Sequence, residues 1–209
     1  MKKKLIYVTS SIVLVLVGLG IYTSVIKFPI TSEMHASWAF DISNVGLLVK
    51  NSDNVFIGRV VEQVGNEPRR RTPFTQFSVE VLANIKGELK GKIVVDQEGG
   101  YKYGVLHVLR DDAIVPEDMA KSGEYLLLPG HVYVFATLQN KEKTRHTVSA
   151  PTRYTRISTD ATLSNDVALD SAWKHSRVQA FVQAVQRGEQ DTAVLMGLPP
   201  KPLNFQSRE

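Results

Sequence analysis

Hydrophobic and polar positions follow three different rhythms along this chain. The first is an uncharged, largely apolar run from Leu5 to Ile26, flanked by Lys2, Lys3 and Lys4 on one side and Lys27 on the other. As a helix, residues 5–26 rise roughly 33 Å, enough for a hydrocarbon core of about 30 Å. The run exceeds the roughly 7–15 apolar residues of a cleaved signal peptide. The small-x-small triplets ending at Ala36 and Ala39 lie well past Lys27. The pattern therefore predicts a single-pass signal anchor over 5–26 and a cytoplasmic tail over 1–4. The basic N-terminus places the rest of the chain outside the cell membrane.

After a spacer over 27–40, the rhythm changes twice. Ile42, Val45, Leu48 and Val49 have helical spacing, with a cap near Ser43. Period-two segments follow. "NVFIGRVVEQV" (54–64) reads as a strand in which Gly58 marks a bulge. In "FTQFSVEVLANIKG", Phe77, Val79 and Val81 share one face while Gln76, Ser78 and Glu80 share the other. "KIVVDQE" is a third strand, ended by Gly99 and Gly100, and "HVYVFATLQN" (131–140) is another. Residues 65–73 and 140–143 have turn composition, 101–124 read as a long excursion, and 144–158 hold one or two short strands around Pro151. The helical period then returns. Val178, Phe181, Val182 and Val185 form a stripe that Val167, Leu169, Ala172 and Trp173 continue toward the start. One amphipathic helix is predicted within 159–188, capped by Asn165 or Asp166, ended by Gly188 and packed on the strands; 189–209 is a loose tail. The fold class is mainly β (α+β): a small barrel domain over 41–158 with flanking helices, preceded by the transmembrane helix.

Charge narrows the function. The chain is +4 overall, but residues 28–209 hold 21 basic and 21 acidic side chains, so the high pI belongs to the membrane flanks. A domain without net charge lacks the basic footprint of a nucleic-acid binder. Arg69, Arg70 and Arg71 are the local exception and read as a solvated hairpin tip between Pro68 and Pro73. With no cysteine, the outer domain has no disulfides and is held by its core alone.

The succession Asp53, Val55, Gly58 and Val60, then Phe77, Val79, Lys86 and Gly87, then Gly130, Tyr133 and Phe135 resembles a known pattern. It is similar to the OB-like barrel of the tissue inhibitors of metalloproteinases and netrin modules, in the form found in bacterial surface proteins. The likeness covers about residues 50–158 and implies a barrel with a protein-binding surface. Those inhibitors chelate a protease zinc through an N-terminal cysteine. This chain has none, so that mechanism does not carry over.

Candidate chemistry is sparse. The five histidines form no H-x-H, H-x-x-x-H or H-E-x-x-H set, and no phosphate-cradling motif occurs, so no metal or cofactor is expected. "SAWK" (171–174) matches S-x-x-K but reads as helix surface. Asp111, Asp112, Glu117 and Asp118 lack the alternation of a calcium loop. Tyr101 and Tyr103, with Lys102 between them, are the candidate ligand-binding residues, because aromatic rings on an OB-like surface suit sugars and peptides. The expectation is a non-catalytic, membrane-anchored extracytoplasmic binding module. Its partners are membrane lipid, through the anchor, and a protein or glycan. The alternatives are an assembly component of a membrane complex, or a hydrolase with a site gathered around His107 and His131.

Overall fold

The computed structural model describes residues 30–34, 39–68, 72–109, 125–142, 144–158 and 160–195. The predicted anchor over 5–26 and the arginines 69–71 lie outside them. Among the described residues, no helix is long and apolar enough to cross a membrane.

The elements are β1 (Thr31–Met34), α1 (Val45–Lys50), β2 (Asn54–Pro68), β3 (Pro73–Lys86), β4 (Lys92–Glu98), β5 (Gly100–Lys102), β6 (Val105–Leu109), β7 (Val132–Gln139), β8 (Arg145–Val148), β9 (Tyr154–Ser158), α2 (Asn165–Lys174) and α3 (Ser176–Leu195). Five strands close a barrel in the order β2-β3-β4-β8-β7, with β7 returning to β2. All neighbours are antiparallel except β4 and β8, which run parallel. This is the strand order of an OB-like barrel. A short 3-10 turn at Pro151–Arg153 interrupts the last strand, and β9 resumes along the same edge of β7.

Closure depends on β2, which pairs with β3 on one edge and β7 on the other. Four register shifts bend it around the barrel. Gly58 sits at one of them, and a Cβ there would meet Val79 Cγ1 at 2.7 Å and Glu80 O at 3.1 Å. Phe56, Val60, Phe77, Val79, Val95, Tyr133, Phe135, Val148 and Tyr154 fill the interior, with Phe56 stacked on Phe135 at 5.1 Å between ring centroids. Gln97 is a buried polar side chain of the interior. Its Nε2 donates to Tyr125 O and to the Tyr154 hydroxyl, and its Oε1 accepts from Leu127 N. It thereby sews the returning segment at 125–128 to the barrel with its buried polar atoms paired.

The outer faces of β2 and β7 form a second core. Val55, Ile57, Val132, Val134 and Ala136 meet Leu48 and Val49 of α1, Ala168 and Ala172 of α2, and Val178, Phe181 and Ala184 of α3. Cations tie the covering elements to the barrel. Lys86 Nζ donates to the carbonyls of Val49 and Ser52, and Arg153 donates to Ser52 Oγ and Ala136 O, at the carbonyl end of α1. Arg59 donates to the carbonyls of Gly130 and Leu163 and to Asn165 Oδ1, fastening the approach to α2.

Several expectations are corrected. The 27–40 spacer contains β1, which pairs in parallel with β6. The turn expected at 65–73 is shorter, because β2 and β3 stay paired to Pro68 and Pro73. The excursion at 101–124 begins with the hairpin β5-β6, and residues 110–124 lie outside the described ones. Asn44, not Ser43, caps α1. The single C-terminal helix is two, with Ser164 capping the first. His175 adopts an extended conformation between them, and its Nδ1 accepts from Arg177 N. Ala172 and Phe181 are nine residues apart, so at about 100° per residue an unbroken helix would set them on opposite sides. The break lets both reach the barrel. Gly188 does not end the helix. It is not among the glycines at positive φ, as a terminating glycine would be, and α3 continues to Leu195 into the expected loose tail.

Two substitutions test this architecture by urea denaturation of the full chain. Gly58→Ala should lower stability by about 1–3 kcal/mol, because its methyl meets packed atoms. Phe181→Ala should cost about 3–5 kcal/mol. Exposed Gln183 on the same helix should be near neutral as alanine. Gln179 is not a suitable control, since its Nε2 donates to Trp173 O across the helix break.

Candidate binding surface

The predicted site residues belong to the β5-β6 hairpin. Lys102 pairs with Val105, leaving Tyr103 and Gly104 as a two-residue turn with φ of 52° and 81°. Positive φ at both central positions is the signature of a type I′ turn, whose preferred residues are Asn, Asp and Gly. Tyrosine is a costly choice there. Tyr103 is 82% exposed, with Lys102 Nζ 5.7 Å from the centroid of its ring. Tyr101 is half-buried on β5, and its carbonyl accepts from Asn66 Nδ2 near the tip of β2. The hairpin thus stands beside the end of β2 and the start of β3, with Tyr101 at its base and Tyr103 at its tip.

A second constellation was not legible as a site in the sequence. Register pairing places Gly65, Gln76, Asp96, Thr147 and Leu138 in one row across the outside of β2, β3, β4, β8 and β7. Gly65 has no side chain, and Gln76 occupies the space a Cβ would need there. Asp96 is 2% exposed beneath Arg145, whose Nη1 lies 3.1 Å from Glu67 Oε2 and 3.6 Å from Asp96 Oδ2. Arg145 and Glu67 are both about half open to solvent. One guanidinium therefore links the end of β2, the middle of β4 and the turn at 140–144, where Asn140 Oδ1 accepts from Thr144 N and Arg145 N. OB-like barrels bind ligands on this side, between the connections at its two edges. Nothing local marks Asp96, Gln76 or Arg145, because their conjunction arises from strand register.

No protein-family profile matches this chain, and no curated protein matches it in sequence.

The histidines are dispersed. His107 lies on β6 and lines a cavity of about 10 Å³, room for about one water, with Glu98, Tyr125, Ser149 and Tyr154. His131 is not among the residues lining that cavity, and its Nδ1 lies 3.0 Å from Ser158 O. The carboxylates Asp111, Asp112, Glu117 and Asp118 lie outside the described residues, as does His35. Among the described residues, no three His, Cys, Asp or Glu side chains gather in a metal-binding group. Ser171 and Lys174 are exposed on α2. Burial pushes the Tyr154 hydroxyl's pKa far up, so it stays protonated; the Gln97 bond acts against the shift.

His146 behaves differently. It shares the inner face of β8 with Val148, is 3% exposed, and its Nδ1 has no hydrogen-bond partner among the described residues. Burial lowers its pKa, and the charge of Asp53 opposes the shift. Unfolded histidine titrates near about 6.5. Below that pH the unfolded chain takes up a proton that the folded chain resists, so this contribution to stability is present above about 6.5 and is lost as pH falls. Urea midpoints of the parent should therefore fall between about pH 7.5 and about pH 5.5, and those of His146→Gln should fall less.

Proposed function

We propose that this chain is a membrane-anchored extracytoplasmic binding module, non-catalytic, which holds a protein or glycan partner against the barrel wall. The observation that carries this reading is the triad Glu67–Arg145–Asp96, set in the row of Gln76 and Thr147 on the side where OB-like barrels take ligands. A planar guanidinium held between two carboxylates offers fixed donors and acceptors, which suit sugar hydroxyls or a peptide backbone. Tyr101, at the base of the neighbouring hairpin, supplies an aromatic edge. The likeness to the inhibitor and netrin barrels, and through them to bacterial surface proteins, supports a recognition role. The apolar run at 5–26 supports the anchor and a cell-membrane location. The neutral balance of residues 28–209 argues against a nucleic-acid partner. The assembly reading draws less support, because Ala168, Ala172, Val178, Phe181 and Ala184 of α2 and α3 are turned onto the barrel; Val167, expected in the same stripe, is instead exposed.

Photo-crosslinking in intact cells tests the proposal. A crosslinker in place of Gln76 should capture one discrete partner, and one in place of Glu88, on the exposed turn between β3 and β4, should not. Arg145→Lys retains the charge above Asp96 and loses the fork. It should weaken that partner roughly tenfold, about 1.4 kcal/mol. Identical capture at both positions, unaffected by Arg145→Lys, would refute the assignment.

A further inference from the structure

We infer that Tyr103 and Ile30 rest in the lipid headgroup layer of the membrane that anchors this chain, so that the barrel stands on the bilayer through a two-point foot. This rests on the anchor in the proposed function and concerns a different partner, the lipid surface itself.

β1 runs parallel to β6, with Thr31 paired to Leu106, and Ile30 O accepts from Leu106 N at 3.1 Å. The chain therefore enters the small sheet β1-β6-β5 at the start of β6. That is also where the Tyr103–Gly104 turn delivers the chain from β5. Entry point and turn share one end of the sheet, two strand spacings apart, or roughly 10 Å. An antiparallel β1 would have put them at opposite ends.

Covalent reach does the rest. Four residue steps separate Ile26, the end of the apolar run, from Ile30, so the gap is at most about 14 Å. The headgroup region is itself about 5–7 Å deep on each side of the hydrocarbon core. The end of the sheet that carries Tyr103 is thus held beside the bilayer, and β1 is fixed by pairing rather than free to act as a long tether.

The chemistry at that end suits an interface. Ile30 is 57% exposed and Tyr103 more so, and Lys102 lies along the tyrosine ring. An aliphatic side chain, an amphipathic ring and an ammonium group that can meet lipid phosphates are the residue types that settle at the membrane–water boundary. Exposure of a tyrosine on a turn that prefers asparagine is then accounted for by the layer it enters.

The absence of cysteine allows a direct test on the full chain. Single variants Leu16→Cys, Ile30→Cys, Glu88→Cys and Tyr103→Cys would each carry a nitroxide. The chain would be reconstituted in phosphatidylethanolamine–phosphatidylglycerol vesicles, and collisions with oxygen and with a water-soluble nickel chelate would be read by electron paramagnetic resonance. Glu88 is the aqueous reference, since its turn follows the end of β3 opposite to the one bridged to Gly99. Labels at Tyr103 and Ile30 should lose collisions with the chelate and gain them with oxygen relative to Glu88, with the label at Leu16 deeper still. If the Leu16 label is deep while those at Tyr103 and Ile30 match Glu88, the foot is refuted and the anchor stands. If the Leu16 label is as open to the chelate as that at Glu88, the anchor fails and this inference falls with it.

Discussion

Closure of the barrel through β2 is the constraint on which the rest depends. A strand paired on both edges, as β2 is from Val55 to Arg59, must coil to close the barrel, and β2 does so at four register shifts, with a glycine where a Cβ would meet Val79. That path brings Phe56 onto Phe135 and fixes which residues of β3 and β4 face inward. It also carries the tip of β2 to Arg145, and so creates the outer polar row. A side chain at Gly58 would act on the interior and on the candidate surface together.

The barrel wall is used differently on its two sides. Where β2 and β7 turn outward, branched aliphatic residues attract three helices. Where β3, β4 and β8 turn outward, Gln76, Asp96 and Thr147 line up with nothing apolar between them along the row. The basic residues Arg59, Lys86 and Arg153 donate to backbone carbonyls around the helical side, where they join elements that the hydrophobic core alone would leave free to slide. Arg177 likewise donates to Thr152 O and lies 4.9 Å from the centre of the Phe181 ring. These cations serve internal joints.

Much of the strand content was legible because it is local. In β3, burial on one face imposes a period of two, and Phe77 and Val79 show it regardless of partner; β7, buried on both faces from Val132 to Thr137, shows instead a continuous run rich in β-branched and aromatic residues. Helical spacing in α1 and α3 follows equally from the shape of one element. The reading failed at phase. The stripes of α2 and α3 are each legible in part, but they are out of step across His175, a break that one continuous predicted helix does not contain. The turn tyrosine was visible as well, yet its positive φ was not, since that follows from the two-residue spacing between paired strands.

Taken by itself, the sequence determined the periodicities, the likeness to an OB-like barrel, the absence of disulfides and the neutral balance of residues 28–209. These depend on residue type and near-neighbour geometry. Only the tertiary structure decided that β1 runs parallel to β6, that β4 runs parallel to β8, and that Asp96 lies beneath Arg145 beside Glu67. Each of these joins residues distant in the chain, and the register between strands sets them. A shift of one residue would turn Asp96 inward and Val95 outward. No local pattern records that register; the packing of Phe77, Val95 and Phe135 in one interior selects it.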